Sequence, residues 1–133
     1  MEWQELDRWT FGGEGVDADA LVRLVLAGKK RATTSCLAAY EAEGEPLPVP
    51  GERSVLTWAD ETPAAVLRLT RVTVLPFQEV PWELASREGE NDSLAEWPAV
   101  HRAIFTQEGE ELGYRFTQQT PVVIEEFEVE ETL

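Results

Sequence analysis

One short stretch of the sequence combines three cationic side chains with three hydroxyl side chains. The six residues are Lys29, Lys30, Arg31, Thr33, Thr34 and Ser35. A lysine that loses its proton more readily because of neighbouring cations and burial can deprotonate a hydroxyl group, which then becomes a nucleophile. The same cations could instead bind a phosphate group. A solvated helix end, whose basic residues complement the helix dipole, is the simplest alternative.

The backbone conformation of this stretch decides which of its side chains can cooperate. In a β-strand, side chains alternate between two faces, so Lys30 and Thr33 would point in opposite directions. The two can meet only if Lys30 lies in a turn before the strand. Gly28 favours such a turn, because glycine readily adopts the left-handed conformation that ends a helix. A pair formed by Lys30 and Thr33 is therefore allowed.

A helix before this stretch and several strands after it are expected to position it. The helix is predicted to begin at Asp17 or Asp19, either of which can cap it, and to end at about Ala27. The other predicted elements are strands at 33–35, 53–58, 65–75 and 122–129 and helices at 36–43 and 81–87. The apolar positions change phase within 65–75, which predicts a β-bulge or corner of the kind that a small barrel needs.

A longer helix is predicted in the last third of the sequence. Ser93 and Glu96 match a capping box, and Pro98 is expected to kink or restart the helix. Five residues recur at helical spacing, namely Leu94, Trp97, His101, Ile104 and Phe105. Because helices and strands do not alternate regularly, the order of elements predicts an α+β fold with an antiparallel or barrel-like sheet.

Composition excludes several classes of protein. A chain of 133 residues is expected to form a single domain over 1–133. Its 26 acidic and 11 basic residues give a net charge of −15, which disfavours broad DNA binding. Cys36 is the only cysteine, and the sequence shows neither a signal-peptide pattern nor a long apolar run. We therefore expect a cytoplasmic protein without a membrane partner, and the absence of metal-site motifs predicts no metal and no cofactor.

Two residues from later parts of the sequence are further candidates for a site. Glu88 lies in an acidic loop, although a single carboxylate among 26 is usually solvated. His101 is the only histidine, and it lies on an apolar helix face with Trp97 and Phe105. A packed, hydrogen-bonded role is favoured over catalysis for a histidine in such a position.

Several segments together resemble the ASCH domain family. They are Phe11-Gly12, Ala20-Leu21, the run Leu26-Ala27-Gly28-Lys29-Lys30-Arg31-Ala32-Thr33, the run from Tyr40 to Pro48, and Glu88-Gly89-Glu90 with Trp97, His101 and Phe105. The resemblance covers about residues 11–129, and the Gly-Lys-Lys-x-Ala-Thr junction is its most specific part. It implies a small antiparallel β-barrel of the PUA-like fold, flanked by helices, with a cleft beside the first helix and an RNA or nucleotide ligand.

The resemblance also implies roles for individual residues. Small bacterial members that hydrolyse the acetyl amide of acetylcytidine use a lysine, a threonine three residues later and a glutamate in a later loop. Those positions match Lys30, Thr33 and Glu88. The candidate ligand contacts around them are Lys29, Arg31, Thr34, Ser35, Tyr40 and His101.

Three functions are therefore open at this point. The first is hydrolysis of an acylated nucleoside such as acetylcytidine. The second is binding of a nucleotide or short single-stranded RNA, with or without ribonuclease activity, and the third is a non-catalytic regulatory or interaction domain. Salt separates the first two, because binding driven by phosphate contacts weakens steeply as salt rises.

Overall fold

The computed structural model describes residues 3–12, 17–90 and 96–133. Its helices are α1 (Ala18–Leu26), α2 (Leu37–Glu43), α3 (Trp82–Ala85) and α4 (Glu96–Leu112). Its strands are β1 (Arg8–Trp9), β2 (Ala32–Cys36), β3 (Arg53–Thr57), β4 (Pro63–Pro76) and β5 (Pro121–Thr132). Short 3-10 turns cover Trp3–Glu5, Phe77–Glu79 and Ser86–Glu88.

Helix α1 begins and ends as the sequence predicts. The Asp17 side chain accepts a hydrogen bond from the Ala20 backbone N–H at 3.1 Å and so caps the helix. Asp19 instead accepts from the Ala59 backbone N–H at 2.8 Å, which ties the helix to the loop after β3. Gly28 has a φ of 77°, the left-handed conformation expected where the chain leaves the helix. The chain is therefore turned sharply toward β2.

The strands form one five-stranded mixed sheet in the order β1-β3-β4-β5-β2. Strands β1 and β3 are parallel, and the other neighbours are antiparallel. The pairing of β4 with β5 shifts register between Val66 and Leu67 and between Leu69 and Arg71, which confirms the predicted irregularity. Closure of this sheet into the expected barrel is not shown, because none of the strand pairings among the described residues joins the outer strands β1 and β2.

Two hydrophobic cores lie on opposite faces of β5. Val122 and Ile124 point into the core under α4, whereas Phe127, an odd number of positions away, points into the core under α1. From the helices, Trp97 and Phe105 fill the first core, and Val22 and Val25 are among the residues that fill the second. Strand β2 is an outer strand of the sheet, and its pairing among the described residues is with β5 alone.

Helix α4 runs from Glu96 to Leu112 without the restart expected at Pro98. Pro98 lies in the first turn, where a missing N–H removes no intrahelical hydrogen bond, and this explains the difference. The predicted capping residue Ser93 lies outside the described residues. Within residues 3–12, 17–90 and 96–133, none of the helices is both long and apolar enough to cross a membrane.

Candidate functional site

A cavity of about 260 Å³ lies along the free edge of β2, between α1, α4 and the turn that follows α3. Its polar lining residues are Lys30, Thr33, Thr34, Glu88, Glu90, His101, Gln107, Glu108 and Glu111. Its apolar walls are formed by Phe11, Leu21, Ile104 and Phe105. Apolar walls with a few convergent polar groups are typical of small-molecule sites, and the volume lies slightly below the usual range of about 300–1,000 Å³ for such pockets.

Lys30 lies in the turn between α1 and β2, where the pairing with Thr33 requires it, and its side chain is 2% exposed. The Lys29 and Lys30 backbone N–H groups donate to the Leu24 carbonyl at 3.0 and 3.1 Å, which holds the turn against α1. This turn directs the Lys30 side chain inward, beneath the Phe11 ring, whose centroid is 5.5 Å from Nζ.

The Lys30 ammonium group is surrounded by oxygen acceptors. Nζ donates to the Ala32 carbonyl at 3.0 Å, to Glu90 Oε2 at 2.5 Å and to the Glu88 carbonyl at 3.4 Å. Glu88 Oε1 lies 3.6 Å away. Because all of these atoms accept hydrogen bonds, Lys30 in this arrangement acts as a donor and must lose a proton before it can act as a base.

Gly89 brings the two carboxylates to Lys30. It has a φ of 70°, and a Cβ atom at this position would lie 2.3 Å from the Lys29 carbonyl oxygen. Only glycine therefore allows the turn after α3 to pack directly against the turn after α1. The Arg31 backbone N–H donates to the Arg87 carbonyl at 2.7 Å and adds a second link between the two turns.

Glu88 is joined to α4 by two side chains of that helix. The Trp97 indole N–H donates to Glu88 Oε2, and His101 Nε2 lies 2.9 Å from the same oxygen. His101 Nδ1 lies 2.9 Å from the Trp97 carbonyl, which can only accept, so Nδ1 carries a proton. A hydrogen bond between Nε2 and Glu88 Oε2 then requires a second proton, shared between the imidazole and the carboxylate. A protonated His101 that donates this proton to an ionised Glu88 meets the requirement.

Burial and charge act in opposite directions on this pair. Burial alone would raise the pKa of Glu88, but the hydrogen bond and charge of His101, with smaller effects of Lys30 and Trp97, lower it below its ordinary value. Burial would lower the pKa of His101, but the hydrogen bond and charge of Glu88 raise it. Both directions favour the ionised pair that the hydrogen-bond geometry indicates.

Thr33 and Thr34 both line the cavity, although they point to opposite faces of β2. This is possible because the cavity follows the outer edge of the strand. Thr34 Oγ1 is buried and has no hydrogen-bond partner among the described residues. The Phe127 N–H donates to the Arg31 carbonyl at 3.0 Å. The alternation of an antiparallel ladder then turns the Thr34 backbone N–H away from β5, toward the unpaired edge.

Four predicted ligand contacts lie outside the cavity lining that the described residues form. The side chains of Lys29 and Arg31 are exposed, and Ser35, which shares its face of β2 with Thr33, is not part of the cavity lining. The Tyr40 hydroxyl donates to Glu125 Oε1 at 2.5 Å, and Glu125 is the cross-strand partner of Thr33. Burial, followed by the hydrogen bond to Glu125, raises the pKa of Tyr40. The dense cationic stretch thus contributes one cation, Lys30, to the cavity.

Sequence reasoning did not identify Glu90, Glu108 or Glu111 as cavity residues, although all three line it. For Glu90 a signal existed, since it follows Glu88 across the turn at Gly89. In the described part of the chain, no group of three His, Cys, Asp or Glu residues is arranged to hold a metal ion.

The family model of the ASCH domain matches residues 7–131. This chain belongs to the ASCH domain family. The crystal structure of a family DUF984 protein from Enterococcus faecalis V583 is 31% identical, with a TM-score of 0.86, and the match covers 95% of this chain and 77% of that one. An ASCH domain from Lactobacillus crispatus JV V101 is 34% identical, with a TM-score of 0.85, over 92% of this chain and 78% of that one.

More distant similarity extends to an ASCH protein variant from Zymomonas mobilis. It is 14% identical, with a TM-score of 0.54, over 85% of this chain and 66% of that one, and supports the fold alone. No curated protein matches this ASCH domain.

Proposed function

We propose that this ASCH domain binds a nucleoside in the cavity beside Lys30 and hydrolyses an acyl amide on its base, with acetylcytidine as the representative substrate. One observation carries the proposal: an ammonium group, a buried carboxylate and two threonine hydroxyls line a single small cavity with apolar walls. The flat base fits between such walls, and the polar groups at one end suit its exocyclic amide.

The reaction begins with two proton transfers. Lys30 gives a proton to the Glu90 carboxylate, whose Oε2 lies 2.5 Å from Nζ, and the neutral amine then takes the proton of the Thr33 hydroxyl. The Thr33 oxygen attacks the acyl carbonyl carbon and forms a C–O bond. The exposed side chains of Lys29 and Arg31 lie outside the cavity lining, so the Thr34 backbone N–H is the donor proposed to stabilise the oxyanion.

The second half of the reaction releases the products. The C–N bond breaks, and the nucleoside amine takes the proton that Lys30 carries, which leaves an acyl-Thr33 ester and a neutral Lys30. A water molecule attacks this ester while Lys30 takes its proton, and Thr33 recovers that proton as acetic acid leaves. Lys30 finally takes back the proton held by Glu90. Glu88 holds the lysine in position through its carbonyl and carboxylate oxygens.

The decisive experiment measures acetate release from acetylcytidine by wild type and by Thr33→Val, Thr33→Ser and Ser35→Ala variants. Thr33→Val keeps the side-chain shape but lacks the nucleophile, so activity should fall by at least about a hundredfold. Thr33→Ser should keep measurable activity. Ser35→Ala is the matched control, because it removes a hydroxyl two positions along the same strand but outside the cavity lining. Equal activity of Thr33→Val and wild type would rule out the proposed nucleophile.

Binding of a nucleotide or single-stranded RNA is the second candidate. It is favoured by the exposed cations Lys29 and Arg31, which flank the turn that carries Lys30. In that case a Lys29→Ala/Arg31→Ala variant should lose RNA affinity, and RNA affinity of wild type should fall steeply with salt. Acetate release that is insensitive to this double substitution would favour the amide hydrolase.

A further inference from the structure

The cavity has a closed end and an open end, which fixes how a ligand can enter. The buried lining residues are Lys30, Glu88, His101 and Phe105. The exposed lining residues are Gly12, Ile104, Gln107 and Glu111. A ligand whose amide reaches Lys30 and Thr33 therefore places its opposite end, which for a nucleoside is the ribose, near Gln107 and Glu111.

The closed end has no spare positive charge. Lys30 and His101 are the two cations there, and the carboxylates of Glu88 and Glu90 balance them through direct contacts at 2.5 to 3.6 Å. An anionic ligand group would have to displace one of these carboxylates. The neighbouring cations Lys29 and Arg31 point to solvent outside the cavity lining and do not change this balance.

The open end is negatively charged. Glu108 and Glu111 both line the cavity, one helical turn apart in position on α4. Glu108 Oε1 accepts a hydrogen bond from the Tyr114 hydroxyl at 2.7 Å, which holds this half-buried carboxylate in place. Like charges repel strongly where solvent is partly excluded, so a phosphate on the ribose would meet two carboxylates at the entrance.

We infer that this cavity accepts an uncharged nucleoside and rejects its phosphate esters, and that Glu108 and Glu111 set this selectivity. The inference rests on the proposed nucleoside site and names its substrate class. It excludes nucleotides and internal positions of an RNA chain as ligands of the cavity.

Equilibrium binding of cytidine and of cytidine 5′-monophosphate to the wild-type chain tests the inference by calorimetry. At low salt the dissociation constant of the monophosphate should be at least about tenfold higher than that of cytidine. Added salt should reduce this ratio of dissociation constants, because salt screens the carboxylates. Glu108→Gln/Glu111→Gln should also reduce the ratio. Gln at 108 still accepts the Tyr114 hydrogen bond, and melting curves check that the variant folds.

Glu110→Gln is the matched control for charge. Glu110 is next to Glu111 on α4 but lines a neighbouring surface depression, so Glu110→Gln changes the net charge by one, as Glu111→Gln alone does, and leaves the entrance carboxylates in place. In Glu110→Gln, the ratio of the two dissociation constants should equal that of wild type. A monophosphate that binds wild type as tightly as cytidine, or equal effects of Glu110→Gln and Glu111→Gln, would overturn the inference and leave the proposed function standing. Failure of both ligands to bind would overturn the proposed function and the inference with it.

Discussion

His101 Nε2 lies 2.9 Å from Glu88 Oε2, and this contact joins α4 to the turn that follows α3. The His101 ring also stacks on Trp97, with ring centroids 4.3 Å apart, and Trp97 donates its indole N–H to the same carboxylate. Glu88 in turn faces Lys30 from the other side. The closed end of the cavity therefore depends on one carboxylate that links the turn after α1, the turn after α3 and α4.

The Glu88–His101 pair predicts a defined pH window for stability. The pKa of Glu88 is lowered from 4.5 in the folded protein. Its contribution to the free energy of unfolding is therefore present above pH 4.5 and is lost as the pH falls through the lower folded pKa. The pKa of His101 is raised from 6.5 in the folded protein. Its contribution to the free energy of unfolding is therefore complete below pH 6.5 and is lost as the pH rises through the higher folded pKa. The pair should stabilise the folded protein most between pH 4.5 and pH 6.5.

Melting curves of wild type and His101→Gln across this range measure the effect. Gln can still donate a hydrogen bond to Glu88 but cannot titrate, so the difference in melting temperature should be largest between the two ordinary pKa values and shrink above them. A difference that stays constant from acidic to alkaline pH would contradict an ionised His101 in the folded state.

Gly89 is predicted to be more sensitive to substitution than Gly44. Both have a left-handed backbone, with φ values of 70° and 67°, so an alanine adds a backbone penalty of about 1 kcal/mol at either position. At Gly44 a new Cβ meets nothing within 4 Å, whereas at Gly89 it would lie 2.3 Å from the Lys29 carbonyl oxygen. Gly89→Ala should therefore lower the free energy of unfolding by at least about 3 kcal/mol.

Denaturant unfolding of the two variants isolates the close contact, because the backbone penalty is common to both. Ligand binding should also be lost in Gly89→Ala, since separation of the two turns moves Glu88 and Glu90 away from Lys30. Equal destabilisation by Gly44→Ala and Gly89→Ala would show that the contact between the turns has no energetic importance.

The features that the sequence predicted well depend on neighbours in the chain. The Asp17 cap, the left-handed Gly28 and the phase change within β4 each have a local cause in a few adjacent residues. The turn that carries Lys30 follows from the same local pattern. These features direct the Lys30 side chain into the cavity that Thr33 and Thr34 also line. Local sequence does not define the rest of the site.

The remaining features depend on contacts between distant segments. The steric need for Gly89 is set by the carbonyl of Lys29, 60 residues earlier, and Glu108 enters the cavity only because α4 packs along the edge of β2. Strand β1 has only two residues, so no periodicity could reveal its parallel pairing with β3. Tyr40 was expected at the ligand, but its position depends on Glu125 in β5.

Lys30 is predicted to be essential for stability as well as for activity. Its side chain is 2% exposed, and Lys30→Met would leave the carboxylates of Glu88 and Glu90 without their shared cation. Removal of one partner from a buried ion pair typically destabilises by about 3–5 kcal/mol, and we expect a value in this range. Lys29→Met is the matched control, since Lys29 is exposed and its substitution should change the free energy of unfolding by less than about 0.5 kcal/mol.

Urea unfolding measures both variants. A second substitution, Glu90→Gln, should recover part of the stability of Lys30→Met, because Glu88 keeps His101 as a cationic partner and Glu90 is the carboxylate left without one. Similar stability of Lys30→Met and Lys29→Met would show that the buried lysine does not balance these carboxylates.

Thr34 is predicted to be less important for folding than a buried threonine usually is. Its Oγ1 atom is buried without a hydrogen-bond partner among the described residues, so the folded protein gains no hydrogen bond from it there. Thr34→Val keeps the shape of the side chain and removes the unsatisfied oxygen, and the free energy of unfolding should stay constant or rise by about 1 kcal/mol. Thr120→Val is the contrasting substitution, because Thr120 Oγ1 accepts a hydrogen bond from the Thr117 N–H at 2.8 Å. Its loss should destabilise by about 1 kcal/mol.

The same variant shows whether the Thr34 oxygen serves the ligand. If it hydrogen-bonds to a bound nucleoside, Thr34→Val should weaken cytidine binding by about fivefold to tenfold while the melting temperature is unchanged or higher. Such a combination separates a role in binding from a role in folding, because a purely structural side chain would change both in the same direction. A lower melting temperature with unchanged cytidine affinity would contradict the expectation.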